Sequence, residues 1–169
     1  HDLIPFVFPK NFPTGIKGKL RWEVQKRLLK KAKAIITDSK NSNSDILKFV
    51  GVRENLVHSI YLAAGDQFKQ LNNERFMQSI KQKFNLPEKF VLYVGDVTWN
   101  KNLPRLIEAV QSLGLPLVMV GKALVDKNFD RNNPWNRDLA KVIELAEKNK
   151  KIIRVGFVED NDLVALYNK

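Results

Sequence analysis

The sequence of 169 residues contains no cysteine and only two histidines, His1 and His58. Disulfides and thiolate metal sites are therefore excluded, and a histidine-rich zinc site is not expected. No apolar run approaches the roughly 20 residues that a helix needs to cross a bilayer. Acidic residues are outnumbered by basic ones, which gives a formal net charge of +11. That excess predicts an acidic partner: nucleic acid, an anionic membrane or a phosphorylated small molecule.

The length and composition leave room for one domain or parts of two, with enough apolar residues (44%) for a core. No secretory leader is visible. The chain begins with a histidine and stops at residues 167–169 inside a predicted helix. We therefore interpret it as an internal fragment.

The first half of the chain begins with a proline-rich stretch. Pro5, Pro9 and Pro13 predict an extended loop there, because proline excludes a regular helix. Residues 17–34 follow as a basic helix with eight Lys and Arg residues and one acid. Its apolar stripe consists of Leu20, Val24, Leu28 and Ala32. The helix is either an ordinary surface helix packed through that stripe, or a basic amphipathic helix that lies on an anionic surface.

Residues 34–37 are predicted to be a buried strand, and a helix capped by Ser42 with Asp45 is predicted to follow and to end at Gly51. Residues 56–62 are a further predicted strand. The polar stretch from there to about residue 74 is interpreted as a domain junction.

The second half repeats a strand-helix unit three times. Predicted strands at 90–94, 117–120 and 152–156 alternate with helices, which indicates a parallel sheet covered by helices. The first strand, an apolar run, is expected to be buried on both faces. Gly95, Gly121 and Gly156 stand at the carboxyl ends of the strands. Ligands of open α/β sheets bind at that edge.

The first of these strand ends is a candidate phosphate site. Gly95 lets a ligand approach the backbone, and the helix that begins near Leu103 presents unpaired N–H groups and a positive dipole end. Lys101 adds a full charge, and Asn100 or Asn102 is predicted to cap the helix. The alternative is a plain strand-helix turn with a solvated lysine.

The chain resembles the family 4 (group 1) glycosyltransferases in six segments that follow one another in the family's order. They are His1-Asp2-Leu3-Ile4-Pro5, Ile35 to Ser42, Gly65 to Phe68, Tyr93-Val94-Gly95 with Lys101-Asn102, Val118 to Gly121, and Val155 to Val158 with Leu163 and Leu166-Tyr167. The resemblance implies a retaining enzyme of the GT-B type, with two Rossmann-like α/β domains and parallel sheets. Residues 1–70 would be the end of the acceptor-side domain, 71–83 the interdomain linker region, and 84–169 the first half of the donor domain.

The resemblance also implies roles for particular residues. Gly95, Lys101 and Asn102 would bind the donor diphosphate, and His1 would be a catalytic residue near the transferred sugar. The donor nucleotide would lie against Gly121, Lys122, Phe157 and Val158. Asp96 departs from the family, in which many members carry arginine there. Two family glutamates fall beyond Lys169, so the fragment is expected to be inactive alone.

The implied reaction transfers a hexosyl or mannosyl group from a nucleoside-diphosphate sugar to a hydroxyl of a glycan or lipid-linked acceptor, in glycan or polysaccharide synthesis. No cofactor and no metal are expected. The expected location is the cytoplasm, at the inner face of the membrane if residues 17–34 bind it.

Two alternative functions stay open. One is a basic nucleic-acid-binding module, which is disfavoured because only Trp22 is interleaved with the basic residues. The other is a non-catalytic nucleotide-binding domain of the same fold.

Overall fold

The computed structural model describes residues 3–169 and divides the chain into two compact units. The first unit extends to Ala64, and the second comprises Gly65–Lys169. The predicted catalytic residue His1 lies outside the described residues. No helix in the described part of the chain is long and apolar enough to cross a membrane.

The first unit contains a small parallel sheet covered on one face by a helix. Its elements are α1 (Ile4–Val7), α2 (Gly15–Leu29), β1 (Ile35–Thr37), α3 (Lys40–Val50) and β2 (Val57–Ser59). The two strands are paired in parallel, with Ile35 opposite Val57. Ile35 and Thr37 are buried whereas Ile36 is exposed, and α3 packs against both strands. One face of the sheet is therefore covered and the other is open.

Three local predictions for the first unit are corrected by the structure. The proline-rich start contains one turn of helix, α1, because Pro5 occupies its first turn, where a missing N–H costs no hydrogen bond. The basic helix ends at Leu29 rather than at residue 34. Ser39, not Ser42, caps α3: its Oγ accepts a hydrogen bond from the Ser42 N–H at 3.1 Å. Gly51 ends α3 in the left-handed conformation, as predicted.

The apolar stripe of α2 is exposed. Leu20, Val24 and Leu28 are 69%, 50% and 62% exposed, so the interpretation in which α2 packs through this stripe is wrong for the described structure. One contact of α2 lies off the stripe, where Trp22 packs against Phe6 with ring centroids 4.0 Å apart.

The second unit is a three-stranded parallel sheet with two helices on each face. Its elements are α4 (Glu74–Lys83), β3 (Val91–Val94), α5 (Leu103–Ser112), β4 (Leu117–Val120), α6 (Arg137–Lys148), β5 (Ile152–Gly156) and α7 (Asp160–Tyr167). The strand order is β3-β4-β5. Helices α5 and α6 pack on one face, and α4 and α7 on the other. The stretch 71–83, predicted to link two domains, thus contains a helix that packs within the second unit.

Strand position explains why burial differs from one strand to the next. All four residues of β4, the central strand, are buried, and they alternate between the two core clusters. β3 was predicted to be buried on both faces, but each of its four residues is only half-buried. The reason is that β3 is an edge strand of the described sheet, so one side of its backbone has no neighbouring strand.

Candidate functional site

The carboxyl ends of the three strands of the second unit lie side by side and are joined by backbone hydrogen bonds. Gly95 donates to the Val120 carbonyl and Gly121 to the Gly156 carbonyl, each at 2.9 Å. Gly95, Gly121 and the start of the segment with Phe157 and Val158 are therefore brought to one edge, as the sequence predicts for a ligand edge. Lys122 follows on the same edge, exposed, in the 3-10 turn Lys122–Val125.

Gly121 is in close contact with the backbone of the neighbouring strand end. A Cβ atom on Gly121 would lie 2.3 Å from the carbonyl oxygen of Gly95. Gly95 itself has a φ of 148°, a conformation that side-chain-bearing residues rarely adopt. The ends of β3 and β4 are thus packed backbone to backbone, and the course of the chain after Gly95 depends on the absence of a side chain at Gly121.

The start of α5 presents unpaired backbone donors. Asn102 occupies the N-cap position with a φ of 53° and its side chain makes no capping bond, while the Asn100 Oδ1 accepts from Thr98 Oγ1 at 2.7 Å. Asn102 is thus the N-cap residue of α5, as predicted, but neither asparagine side chain supplies the capping hydrogen bond. Pro104 has no N–H, and the N–H groups of Leu103 and Arg105 have no acceptor within residues 3–169.

Lys101 stands beside these donors, at the end of the 3-10 turn Trp99–Lys101 that leads into α5. Its side chain is exposed, and it forms no ion pair with any residue that the structure describes. Asp96 is likewise exposed and pairs with neither Lys101 nor Lys122. The exposed, unpaired Lys101 amine and the open helix start each favour an anion near the beginning of α5.

Tyr93 also lies at this edge; the sequence analysis placed it in the first strand and in a family segment but gave its side chain no role. Its hydroxyl donates to the Asp96 carbonyl at 2.7 Å and lies 3.0 Å from the position of a Cβ atom on Gly95. Burial raises the pKa of Tyr93, and the negative charge of Asp96 raises it further. The hydroxyl therefore stays protonated as a donor throughout the neutral range, and it ties the loop after Gly95 back to β3.

Replacement of Tyr93 by phenylalanine is expected to release this loop while the ring continues to pack against the core. Because the lost bond orients the loop, we expect the affinity of this edge for an anion to fall by roughly three- to ten-fold, the range that one neutral hydrogen bond supplies. Calorimetry with inorganic pyrophosphate measures the change. A matched control is Tyr167→Phe, which removes a hydroxyl from an exposed tyrosine of α7. An unchanged pyrophosphate affinity for Tyr93→Phe would contradict a positioning role.

The remaining candidate residues differ in exposure. Phe157 is 69% exposed at the end of β5, whereas the Val158 side chain is buried in the core formed with α4 and α7. Only the backbone of Val158 is then available to a ligand. Arg154 of β5, which the sequence analysis did not single out, donates from Nη1 to the Leu124 carbonyl at 3.1 Å and holds the turn that carries Lys122.

Within residues 3–169, no three His, Cys, Asp or Glu side chains are placed to share a metal ion.

The chain belongs to the group 1 glycosyl transferases, because the model of that family matches residues 74–169. Those residues include all of the strand-helix units that build the edge with Gly95, Gly121 and Gly156, which we call the glycine edge. The family prediction made from the sequence is confirmed.

Similar proteins extend the resemblance over the whole chain. Serotype-specific mannosyltransferase WbdA of Escherichia coli is 25% identical over 179 residues, which cover 99% of this chain and 21% of that protein. The chain thus spans about a fifth of the length of the curated relatives it matches.

Solved structures resemble the chain in fold. Anabaena Alr3699/HepE in complex with UDP-glucose has a TM-score of 0.66 at 17% identity, over 94% of this chain and 41% of that one. Sucrose-phosphate synthase of Thermosynechococcus elongatus has a TM-score of 0.64 at 16% identity, over 89% and 36% of the two chains. A glycosyltransferase of Rickettsia africae has a TM-score of 0.60 at 19% identity, over 99% and 40%. The predicted α/β fold of the GT-B type is confirmed.

Proposed function

We propose that the protein carrying this chain transfers a hexosyl group from a nucleoside-diphosphate sugar to a hydroxyl of a glycan or lipid-linked acceptor, with retention of the anomeric configuration. Membership of the group 1 family supports sugar transfer. A mannosyltransferase among the relatives favours mannose, and a neighbour in fold that was crystallised with UDP-glucose supports a nucleotide-sugar donor. Such a reaction belongs to glycan or polysaccharide synthesis.

The observation that carries the proposal is the uncapped start of α5 beside the unpaired Lys101. Breaking the bond between sugar and diphosphate leaves an oxocarbenium-like sugar and a diphosphate that gains negative charge. Charge that develops in a transition state is best stabilised by donors already held in place. The free N–H groups of Leu103 and Arg105, with the Lys101 amine, are such donors. The leaving diphosphate would rest on them, and the scheme requires no metal ion.

The other predicted residues take supporting roles in this proposal. Asn102 would lie beside the diphosphate, and Gly95 would let the donor reach the backbone. The nucleotide would rest against Gly121, Lys122 and the backbone of residues 157–158. His1 would act near the transferred sugar from the acceptor side.

Transfer with retention is tested by the anomeric configuration of the first-formed product. The intact protein is incubated with a panel of nucleoside-diphosphate sugars and a glycan acceptor, and NMR of the product gives the configuration of the new glycosidic bond for comparison with that of the donor. Retention is the expected result, and an inverted product would refute the proposed stereochemistry. A protein that binds nucleoside diphosphates but turns over no donor would instead be a non-catalytic domain of the same fold. The 169-residue chain alone is expected to show no turnover.

We also propose that α2 and the residues up to 34 bind an anionic membrane surface, at the cytoplasmic face. The support is the exposure of Leu20, Val24 and Leu28 together with the eight Lys and Arg residues of 17–34, which attract anionic lipid headgroups.

Removal of one stripe residue is expected to weaken binding to phosphatidylglycerol vesicles. Leu20→Gln replaces the apolar end of the side chain by a polar amide. Each methylene group buried in the lipid contributes about 0.8 kcal/mol to binding, so the loss of several should weaken binding by at least ten-fold. Leu113→Gln is the matched control, since Leu113 has the same 69% exposure in the second unit. Vesicle sedimentation measures both. Equal vesicle affinities for the two variants would argue against the membrane assignment.

A further inference from the structure

The first unit contains an open surface cavity of about 590 Å³ whose lining includes four exposed basic side chains. That volume falls in the range of about 300–1,000 Å³ that ligand pockets occupy. Lys30, Lys31, Lys33 and Arg53 contribute to the lining, and no carboxylate among the described residues does. None of these four cations forms an ion pair within residues 3–169.

The cavity lies at the amino ends of β1 and β2. Its lining comes from residues 30–33, between α2 and β1, and from residues 51–53 and Leu56, between α3 and β2. The Lys30 amine lies 4.0 Å from the position of a Cβ atom on Gly51, so this side chain extends from the end of α2 to the end of α3. The cavity is therefore at the edge of the small sheet opposite to its strands' carboxyl ends.

Two helix ends at the cavity carry partial negative charge, and they offset only part of the positive charge of its lining. Lys30 is the C-cap of α2 and Gly51 the C-cap of α3, so two negative helix ends meet at the cavity. Each helix end presents a charge of about −0.5, and two of them together offset about one of the four cations. A net charge of about +3 remains around one concave surface. Its mutual repulsion is relieved by an anion of charge −2 or −3.

We infer that this cavity binds a phosphate-bearing anion. A fork-shaped guanidinium at Arg53 and ammonium groups at Lys30, Lys31 and Lys33 are the side chains that bind phosphate oxygens in proteins. The phosphate comes either from a small soluble phosphate compound or from a lipid headgroup. The inference does not depend on the glycine edge of the second unit, because the cavity is built wholly from the first unit.

The test is calorimetric titration of the intact protein with inorganic pyrophosphate at about 0.1 M salt, where the Debye length is about 10 Å. All proteins carry Lys101→Ala, so that the proposed diphosphate site of the second unit contributes little heat. The paired substitution Lys31→Gln with Arg53→Gln removes two cations from the cavity. We expect the pyrophosphate affinity to fall by at least about ten-fold, since each charge-assisted contact accounts for about a decade.

The matched control is Lys10→Gln with Lys40→Gln, which removes the same charge from two exposed lysines of the first unit that do not line the cavity. We expect this pair to change the affinity by less than about two-fold at a salt concentration where the Debye length is about 10 Å. Equal losses in the two pairs would mean general attraction to a basic protein and would overturn the inference. No measurable binding to the protein with an unaltered cavity would overturn it as well. Lys33→Gln alone repeats the comparison if the paired variant does not fold.

The two sources of phosphate are separated by a second probe. Phosphatidylglycerol vesicles replace pyrophosphate, and Arg53→Gln alone is the cavity variant, because Arg53 lies outside the residues up to 34 that are proposed to bind the membrane. A lipid headgroup in the cavity predicts that Arg53→Gln weakens both vesicle binding and pyrophosphate binding. A soluble phosphate compound predicts that Arg53→Gln weakens pyrophosphate binding alone. Either pattern supports phosphate binding in the cavity, and pyrophosphate binding that Arg53→Gln leaves unchanged would contradict it.

Discussion

Replacement of Lys101 by alanine is expected to lower kcat/KM of the intact enzyme by roughly ten- to a hundred-fold and to leave the fold unchanged. The amine is exposed and unpaired in the described structure, so its removal breaks no internal contact. A charge-assisted contact with the diphosphate is worth about 1.5–3 kcal/mol, which corresponds to one to two decades. The measurements are steady-state kinetics with the donor varied, together with calorimetric affinities for nucleoside diphosphates.

Two further variants refine this result. Lys101→Arg is expected to do less harm, because it keeps the charge but changes its shape and reach. Asp96→Asn is expected to leave donor affinity unchanged or to improve it, since this carboxylate lies two residues from the end of β3 and pairs with neither nearby lysine. A Lys101→Ala protein that binds diphosphates as tightly as the unaltered protein would reduce Lys101 to a surface charge.

Gly121→Ala is expected to damage both stability and donor binding. The new Cβ atom would lie 2.3 Å from the Gly95 carbonyl oxygen, and because both atoms belong to strand ends, backbone has to move. Forced repacking of this kind costs about 1–3 kcal/mol of unfolding free energy. The displaced Gly95 would also shift the loop that leads to Lys101, so diphosphate affinity should fall by about ten-fold or more. Urea denaturation and calorimetry measure the two effects.

Gly114→Ala separates strain from displacement. Gly114 has a φ of 69° with nothing within 4 Å of an added Cβ atom, and it lies in the turn between α5 and β4. Alanine there costs about 1–2 kcal/mol of backbone strain without touching the glycine edge. Stability should therefore fall in both variants, and diphosphate affinity only in Gly121→Ala. A folded Gly121→Ala protein with unaltered diphosphate affinity would show that the packing of the two strand ends does not support the site.

The strand-helix repeat of the second unit could be predicted from the sequence because each element carries its own pattern. β4 is an apolar run that ends at a glycine, and α6 repeats its buried positions every three to four residues. The edge position of β3 could not be predicted in this way, because an apolar run does not reveal how many neighbours a strand has. The apolar stripe of α2 was misleading for the same reason: periodicity predicts an apolar face but not its partner.

The residues of the candidate site were predictable to different degrees. Glycine at a strand end and lysine before a helix are visible in the sequence, and both lie at the predicted edge. The contact between Gly121 and the Gly95 carbonyl could not be predicted, because it depends on the distance between two backbones that are distant in sequence. Tyr93 was missed because an aromatic residue in a strand ordinarily indicates core packing. Its only signal is a hydroxyl two residues before a glycine that ends a strand.

A crystal structure of the intact protein with UDP tests the central claim most directly, namely that the start of α5 and Lys101 hold the donor diphosphate. We expect a diphosphate oxygen within about 2.7–2.9 Å of the Lys101 amine, with a second accepting from the N–H of Leu103 or Arg105. The uridine should lie along the edge formed by Gly121 and Gly156. A diphosphate bound elsewhere, with the Lys101 amine and the α5 start still in water, would contradict the account.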